Sequence, residues 1–422
     1  MSRPMTAEQL QQAWADGRIV PLAAAEEQAD LAAALACTGC PETAPVLEPL
    51  RRRFGPGVVV GSGGSSGRRR WCLQPLSHLE ASALATGRWL AGQGIDPAAC
   101  LHLNPLALHH VSGLLPLVRS RHWGCIHLPI QPALLRDPVG LAAAVPLPSD
   151  RPTLLSLVPT QLQRLLAVAE GLAWLQRLTL IWVGGAPLPQ VVAAGARAAS
   201  LRLAPCYGAT ETAAMVCALK PDRFLAGIGG CGEPMADVEL QLQPPIGAIA
   251  VRTARLSPGC LEAGTLRPLP ISGQGWWPSG DAGRLDASGL TVLGRLDGAI
   301  HSGGETVFPE QVEQRLMAAA AAEGLPLQAI LLLPERDPEW GQRLVALVRP
   351  SAQALGEAGA LLEELSRLCR ALPAAERPRR WRLCPELAPG SHGKWRRRHW
   401  QRWLASLEAG QSPQSHDDPQ RC

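Results

Sequence analysis

Leu154-Leu-Ser-Leu-Val-Pro-Thr-Gln-Leu-Gln-Arg-Leu-Leu-Ala-Val-Ala-Glu170 opens on a short apolar run and passes through a proline into a helical pattern. The pair repeats directly, as Leu178–Val183 followed by Leu188–Ala199. Upstream, the runs Cys100–Leu103 and Ile126–Leu128 flank a helical stretch at His109–Arg119, and Gln161–Glu170 reads as one helix. Short apolar runs alternating with helices predict parallel strands joined by helical crossovers, an α/β fold.

Towards the N-terminus, Thr6-Ala-Glu-Gln9 reads as a capping box opening a helix that runs to about Gly17. A second helical pattern covers Ala23–Ala36. Val58-Val-Val60 is a strand running into Gly61-Ser-Gly-Gly-Ser-Ser-Gly67, with a helix at Ser77–Gly92. After Tyr207 the texture changes. Val238–Leu242, Gly247–Val251, Gly264–Arg267 and Gly289–Leu293 are short strands punctuated by Gly and Pro, a β-rich subdomain. From Gly298 to Ser406, helices (Pro309–Ala322, Ala352–Ala371) mix with strands (Ala329–Leu333, Arg343–Val348, Arg380–Leu383), a small separate α+β domain. The expected division is 1–296, 297–408 and a polar tail over 409–422.

Composition excludes several classes. With 46% apolar and 18% charged residues, 42 Gly and 39 Pro in 422 residues, the chain is neither collagen, coiled coil nor a disordered tail protein. No apolar run approaches the ~20 residues of a membrane span, and Met1-Ser-Arg-Pro-Met-Thr-Ala-Glu-Gln has no apolar signal core, so a cytoplasmic protein is expected. The 12 cysteines are then expected as reduced thiols, Cys37-Thr-Gly-Cys40 included. Net charge is +4, concentrated in Arg68-Arg69-Arg70 and Arg396-Arg397-Arg398; two local patches, solvated or facing an anion, suit a protein that binds no nucleic acid. Only Lys220 and Lys394 are lysines, and Tyr207 is the one tyrosine.

The Ser62–Gly67 loop can turn successive backbone N–H groups into one concavity that holds phosphate oxygens, with the Ser62, Ser65 and Ser66 hydroxyls as added donors and Arg70 as charge. It lacks the Gly-Lys-Ser/Thr ending of a Walker A loop. Four more clusters follow in order. Ala204-Pro-Cys-Tyr-Gly-Ala-Thr-Glu211-Thr gathers an aromatic, a glycine, a hydroxyl and a carboxylate. Gly280-Asp281-Ala-Gly-Arg284 precedes a hairpin leading to Gly294-Arg295-Leu-Asp297. Gly303-Gly-Glu305 with Pro309-Glu-Gln-Val-Glu313 comes next, and Pro389-Gly-Ser-His-Gly-Lys394 closes the series.

From Val58 to Arg398 this order of motifs resembles the adenylate-forming superfamily of acyl-CoA synthetases, luciferases and peptide-synthetase adenylation domains. The resemblance implies a large N-terminal domain of α/β layers plus a β-rich subdomain, and a small mobile C-terminal α+β domain. It also implies a two-step reaction with ATP, Mg²⁺ and coenzyme A, in which a small-molecule carboxylic acid forms acyl-AMP and then a thioester. Carried over by residue, Ser62, Gly63, Gly64, Ser65, Ser66 and Gly67 would cradle the β,γ-phosphates, with Arg70 near them. Thr210 would donate to the α-phosphate, Glu211 would hold Mg²⁺, and Tyr207 and Gly208 would lie against adenine. Asp281 would accept the ribose hydroxyls and Arg295 would support ribose and phosphate. Lys394 would reach the carboxylate–phosphate junction, and Asp297 matches the hinge.

The loop departs from the family form, with Arg69 and Arg70 standing where proline and lysine are usual. His301 stands where lysine is common, which bears on the coenzyme A contacts, and the region before the loop is short. Leu108-His109-His110-Val-Ser-Gly113, Ser156-Leu-Val-Pro-Thr160-Gln-Leu-Gln-Arg164 and Trp182-Val-Gly-Gly-Ala-Pro187 look most like the o-succinylbenzoate–CoA ligases of menaquinone and phylloquinone biosynthesis. On that likeness, His110 would line the acyl or pantetheine passage, and Gly184, Gly185 and Ala186 would form a wall admitting a flat ring. Arg164, four residues after Thr160 read as an N-cap, would pair with the second carboxylate. The alternatives are a ligase for another aryl or fatty acid and a catalytically silent nucleotide binder; a homodimer is a candidate assembly.

Overall fold

The computed structural model describes residues 5–36, 46–63, 69–352, 356, 358–389 and 395–408. Cys37–Cys40, Gly64–Gly67, Lys394 and the 409–422 tail lie outside the described residues. The chain divides into two compact units, Met1–Asp297 and Gly298–Cys422.

The first unit holds three sheets. In the seven-stranded one, Ile126–Pro129, Leu101–Asn104, Thr153–Leu157, Leu180–Val183 and Leu203–Ala209 lie side by side and parallel, and Ala214–Ala218 and Glu233–Pro234 extend them antiparallel. The central strands Thr153–Leu157 and Leu180–Val183 are apolar on both faces because both are covered, whereas the edge strand Ile126–Pro129 is largely exposed. Leu155, Leu157, Ile181 and Val183 pack into one cluster with Leu162, Leu165 and Trp174. Leu154, Leu180 and Trp182 face the other way, into a cluster with Leu90, Met215 and Trp277. Each such leucine contributes about 2 kcal/mol by leaving water. The chain leaves Leu101–Asn104 to one side, then returns to its other side at Thr153–Leu157. That reversal is a topological switch point, where open α/β sheets leave a crevice outside the carboxyl ends of their strands.

Some sequence expectations need correction. The Gln161–Glu170 helix is two, Pro159–Leu166 and Ala169–Gln176, because Val168 between them adopts extended backbone (φ −127°, ψ 134°). Thr160 is not the N-cap. Val158 is, with Pro159 in the first turn, and the Gln161 side chain accepts from the Val158 N–H at 3.0 Å. The Ala23–Ala36 pattern resolves into a 3₁₀ turn, Ala25–Glu27, and the helix Gln28–Leu35. The β-rich region is split. Glu239–Gln243, Ala248–Arg252, Trp277–Asp286 and Gly289–Arg295 form one antiparallel sheet, whereas Thr265–Pro268 pairs with Gly259–Glu262. Those last two strands complete a sheet with Ile19–Leu22, Gly57–Ser62 and Arg70–Pro75. Asp281 accordingly lies inside the first strand of its hairpin, in register with Arg295. Neither arginine patch is simply solvated: Arg69 pairs with Glu27, Arg70 with Glu211, and Arg397 with Glu310 and Glu313.

The second unit sets the long hairpin Leu327–Asp337/Gly341–Pro350 beside Ile300–Ser302, Glu305–Val307 and Arg380–Leu383. Helices Pro309–Ala322 and Ala358–Cys369 contribute Val312, Leu316, Leu361 and Leu365 to its core.

Candidate active site at the carboxyl ends of the parallel strands

Four of the sequence clusters follow four neighbouring parallel strands. His109 and His110 come after Leu101–Asn104, with ring centroids 4.4 Å apart, and His110 caps the helix Val111–Trp123. Pro159–Leu166 leaves Thr153–Leu157. Gly184, Gly185 and Ala186 leave Leu180–Val183, and the Gly184 N–H donates to the Leu157 carbonyl at 3.2 Å, joining the two strand ends. A side chain at Gly184 would stand 2.8 Å from Cys206 Sγ, so the turn depends on having none.

The last parallel strand ends in Tyr207-Gly-Ala209 and turns through Thr210–Thr212 into Ala214–Ala218. The ladder bulges between Tyr207 and Gly208. A Cβ at Gly208 would lie 2.1 Å from the Ala214 carbonyl oxygen, which excludes any other residue there. Three side-chain and backbone donors fix this turn through its carbonyls. Gln74 Nε2 donates to Thr210 O at 2.6 Å, Ser257 N to Glu211 O at 2.7 Å, and Arg255 Nη1 to Thr212 O at 2.5 Å. Arg255 is 1% exposed, and its Nε donates to Asp237 Oδ2 at 2.7 Å. Sequence reading missed Gln74, Asp237, Arg255 and Ser257. Their only signal was polarity between apolar stretches, and their partners lie far along the chain.

Two polar constellations result. In one, the Arg70 Nη2 donates to Glu211 Oε1 at 2.7 Å; the Glu211 carboxylate is buried and the arginine half exposed. Ser62 ends the strand paired with Arg70 and is buried, and Gly63 is exposed. In the other, Tyr207 Oη donates to Asp281 Oδ2 at 2.7 Å, and Arg295 Nη1 to Asp281 Oδ1 at 3.2 Å. Arg295 Nε reaches Asp297 at 3.3 Å, and the Ser279 hydroxyl accepts from the Asp281 N–H. Burial, with the Asp281 carboxylate beside it, raises the Tyr207 phenol above its ordinary value, so it stays a donor. Thr210 is half-buried next to Glu211.

Arg164 stands apart from both constellations. It is exposed in the last turn of Pro159–Leu166, where Nη1 donates to the Leu135 carbonyl at 3.4 Å. His301 is exposed in the second unit, its Nδ1 3.4 Å from the Thr306 hydroxyl. Among the described residues no group of three or more His, Cys, Asp or Glu could hold a metal ion. No described helix is long and apolar enough to cross a membrane.

The AMP-binding enzyme family matches residues 63–247. A 2-succinylbenzoate–CoA ligase of Enterococcus faecalis is 29% identical over 353 residues, covering 80% of this chain and 68% of that protein. A probable 2-succinylbenzoate–CoA ligase of Mycobacterium tuberculosis is 30% identical over 297 residues, covering 69% and 70%. In fold, the chain matches the o-succinylbenzoate CoA synthetase of Bacillus subtilis, solved with its acyl-adenylate intermediate, with a TM-score of 0.67. That match is 22% identical and covers 82% of this chain and 68% of the other. The chain spans about two thirds of the length of each of these proteins. It belongs to the AMP-binding enzyme family, the family of these ligases.

Proposed function

We propose that the chain is an AMP-forming acid–CoA ligase that activates 2-succinylbenzoate for menaquinone or phylloquinone biosynthesis. The observation that carries this reading is the gathering of His110, Gly184–Ala186 and Tyr207–Glu211 at the carboxyl ends of adjacent parallel strands, with Asp281–Arg295 and Arg70 bonded to that group. The relatives' names supply the acid.

In the first step a substrate carboxylate oxygen bonds to the α-phosphorus of ATP, and the α–β bridging bond breaks to release pyrophosphate. An anion attacks a polyanion, so positioning and charge neutralisation dominate. Ser62–Gly67 and Arg70 would hold the β,γ-phosphates and Thr210 the α-phosphate. Tyr207 and Gly208 would hold adenine, and Asp281 with Arg295 the ribose. Lys394 would bring its compact ammonium to the reacting junction. Magnesium suits one carboxylate plus phosphates and waters, and Glu211 already faces a cation, Arg70. Glu211 would be its protein ligand, and the ion would neutralise phosphate charge. In the second step the coenzyme A sulfur bonds to the acyl carbon and AMP leaves, with the second unit turning about Asp297.

Arg164 would pair with the second carboxylate, His110 would line the passage, and the Gly184–Ala186 turn would pass the ring. A cytoplasmic place and a homodimer belong to the same reading. The test is mass spectrometry of products from the purified chain with ATP, Mg²⁺, coenzyme A and single acids: 2-succinylbenzoate, benzoate, 4-coumarate and octanoate. A 2-succinylbenzoyl-CoA product alone supports it. Turnover of another acid alone overturns the substrate, and pyrophosphate release with none overturns the ligase.

A further inference from the structure

Cys72 and Cys260 face each other across two antiparallel strands, Arg70–Pro75 and Gly259–Glu262, as a direct register pair. Their sulfurs are 3.1 Å apart and both are free thiols. The two differ in surroundings. Cys72 is fully buried, while Cys260 is partly exposed. The hydrogen bond between the two sulfurs, with the Arg70 guanidinium nearby, holds the Cys260 thiol below its ordinary value. The same bond, and burial, push the Cys72 thiol up. Two free sulfurs 3.1 Å apart, one partly exposed and one buried, have the arrangement of an attacking and a resolving cysteine.

The pair also adjoins the phosphate side of the site. Arg70, which holds Glu211, lies two residues before Cys72 on the same strand. Ser257, three residues before Cys260, donates its N–H to the Glu211 carbonyl and its hydroxyl to Leu73 O at 2.8 Å. Arg70, the first residue of one strand, and Ser257, two residues ahead of the other, thus both contact Glu211.

We propose that Cys72 and Cys260 are a reversible oxidation site, at which a peroxide closes a cross-strand disulfide that slows ATP use at the adjoining Arg70–Glu211 pair. The effect on ATP rests on the ligase reading above; the disulfide itself does not. The Cys260 thiolate attacks one peroxide oxygen, the O–O bond breaks, and the product is a sulfenic acid and hydroxide, which takes up a proton as water. The Cys72 sulfur then attacks the sulfenic sulfur, its thiol proton leaves with the departing hydroxide as water, and the S–S bond forms. Two thiols are oxidised and one peroxide is reduced to two oxygen-level products, water throughout when the oxidant is hydrogen peroxide. Closing 3.1 Å to a covalent bond moves the strand that carries Arg70, and displacements of this order at a reacting centre cost up to about a hundredfold in rate.

The test uses the full reduced chain treated with hydrogen peroxide. Trypsin separates Cys72 from Cys260 onto peptides carrying one cysteine each, so a non-reducing digest shows the link by mass. Expected are a Cys72–Cys260 linked peptide, a several-fold fall in ATP–pyrophosphate exchange that tracks its yield, and recovery of both with dithiothreitol. Cys260→Ser should exchange normally and keep its rate in peroxide. Oxidation of other cysteines without this link overturns the proposal. So does a fully formed link with unchanged exchange, or a Cys260→Ser variant as sensitive as the native chain. If the reduced chain shows no exchange with any acid, the ligase reading has failed. The oxidation site is then decided by MgATP affinity: weaker in the oxidised form supports it, equal overturns it.

Discussion

Arg70 and Glu211, 141 residues apart in sequence, meet at 2.7 Å and tie the exit of the glycine-rich loop to the turn after the last parallel strand. The carboxylate is 4% exposed, and a buried charge without a partner is costly, so the Arg70 guanidinium offsets its loss of water. Phosphates bound at the loop would compete for Arg70, and magnesium would then take its place on Glu211.

Glu211→Gln preserves shape and removes that charge. ATP–pyrophosphate exchange should fall by about a hundredfold, the scale for losing one preorganised electrostatic contact, and the magnesium concentration for half-maximal rate should rise. The urea midpoint should change little, because Arg70 can turn to solvent. An unchanged rate would remove Glu211 from the site.

Asp281 accepts one bond on each oxygen, from Tyr207 and Arg295. A carboxylate has about four acceptor positions, so room remains for two ribose hydroxyls. Asp281→Asn turns one oxygen into a donor facing Arg295 or the ribose. It should raise the KM for ATP by about thirtyfold, near 2 kcal/mol for a charged hydrogen bond, and Tyr207→Phe should raise it less. Equal KM values for native and Asn enzymes would show that Asp281 serves the sheet alone.

The α/β layering was legible because Leu154–Val158 and Leu178–Val183 are apolar without alternation and are followed by helical periods, which only strands covered on both faces produce. Tyr207, Asp281 and Arg295 were legible as motif members, and the structure brings them into one hydrogen-bonded group. The supports were not. Gln74, Arg255 and Ser257 act on Thr210–Thr212 from positions made adjacent only by sheet pairing. The transfer of Thr265–Pro268 to the loop's sheet was equally hidden, since strand partners are set by packing over the whole unit. Cys72 and Cys260 looked like scattered cysteines until their strands were paired.

In the second unit, Arg397 donates to both oxygens of Glu313 at 2.9 Å and to Leu332 O at 2.7 Å, and Nε lies 3.2 Å from Glu310. Burial raises the Glu313 carboxyl to about 7 despite this partner. Arg397→Ala leaves a buried acid unpaired and should cost about 3–5 kcal/mol. Hydrogen exchange should quicken across Pro309–Ala322 and Arg397–Glu408; unaltered protection there would show that the Arg397–Glu313 pair does not hold these helices.

His102 is fully buried against Trp123 and Trp182, with ring centroids 5.9 and 5.8 Å away. Burial, then the nearby Arg119 charge, lowers its folded pKa well below 6.5. The unfolded chain therefore binds the extra proton as pH falls below about 6.5 while the native chain does not, so this stability is complete above 6.5 and lost on acidification. Between pH 7.5 and 5.5 this group should therefore make the chain progressively less stable. His102→Phe should flatten that part of the change in urea midpoint, followed by tryptophan fluorescence. An identical pH dependence in both proteins would place the acid lability elsewhere.

On the proposed reading, Arg164 pairs with the second carboxylate of the acid. It stands on a helix that starts at the carboxyl end of Thr153–Leu157, with Leu162 and Leu165 holding the opposite face in the core. Its guanidinium has one long bond, 3.4 Å to Leu135 O, so an anion meets little competition. In this half-solvated setting a charged contact is worth about 1.4 kcal/mol, which is tenfold. Arg164→Ala should therefore raise the KM for 2-succinylbenzoate about tenfold and leave the KM for ATP and any turnover of benzoate unchanged. A rise for benzoate as well would mean that the helix, rather than the charge, had been disturbed. If neither changes, the second carboxylate has another partner, and Arg119 is the residue to substitute next. That guanidinium is buried 5.0 Å over the Trp182 ring, on the side of the sheet away from Arg164's helix, with no carboxylate bonded to it among the described residues.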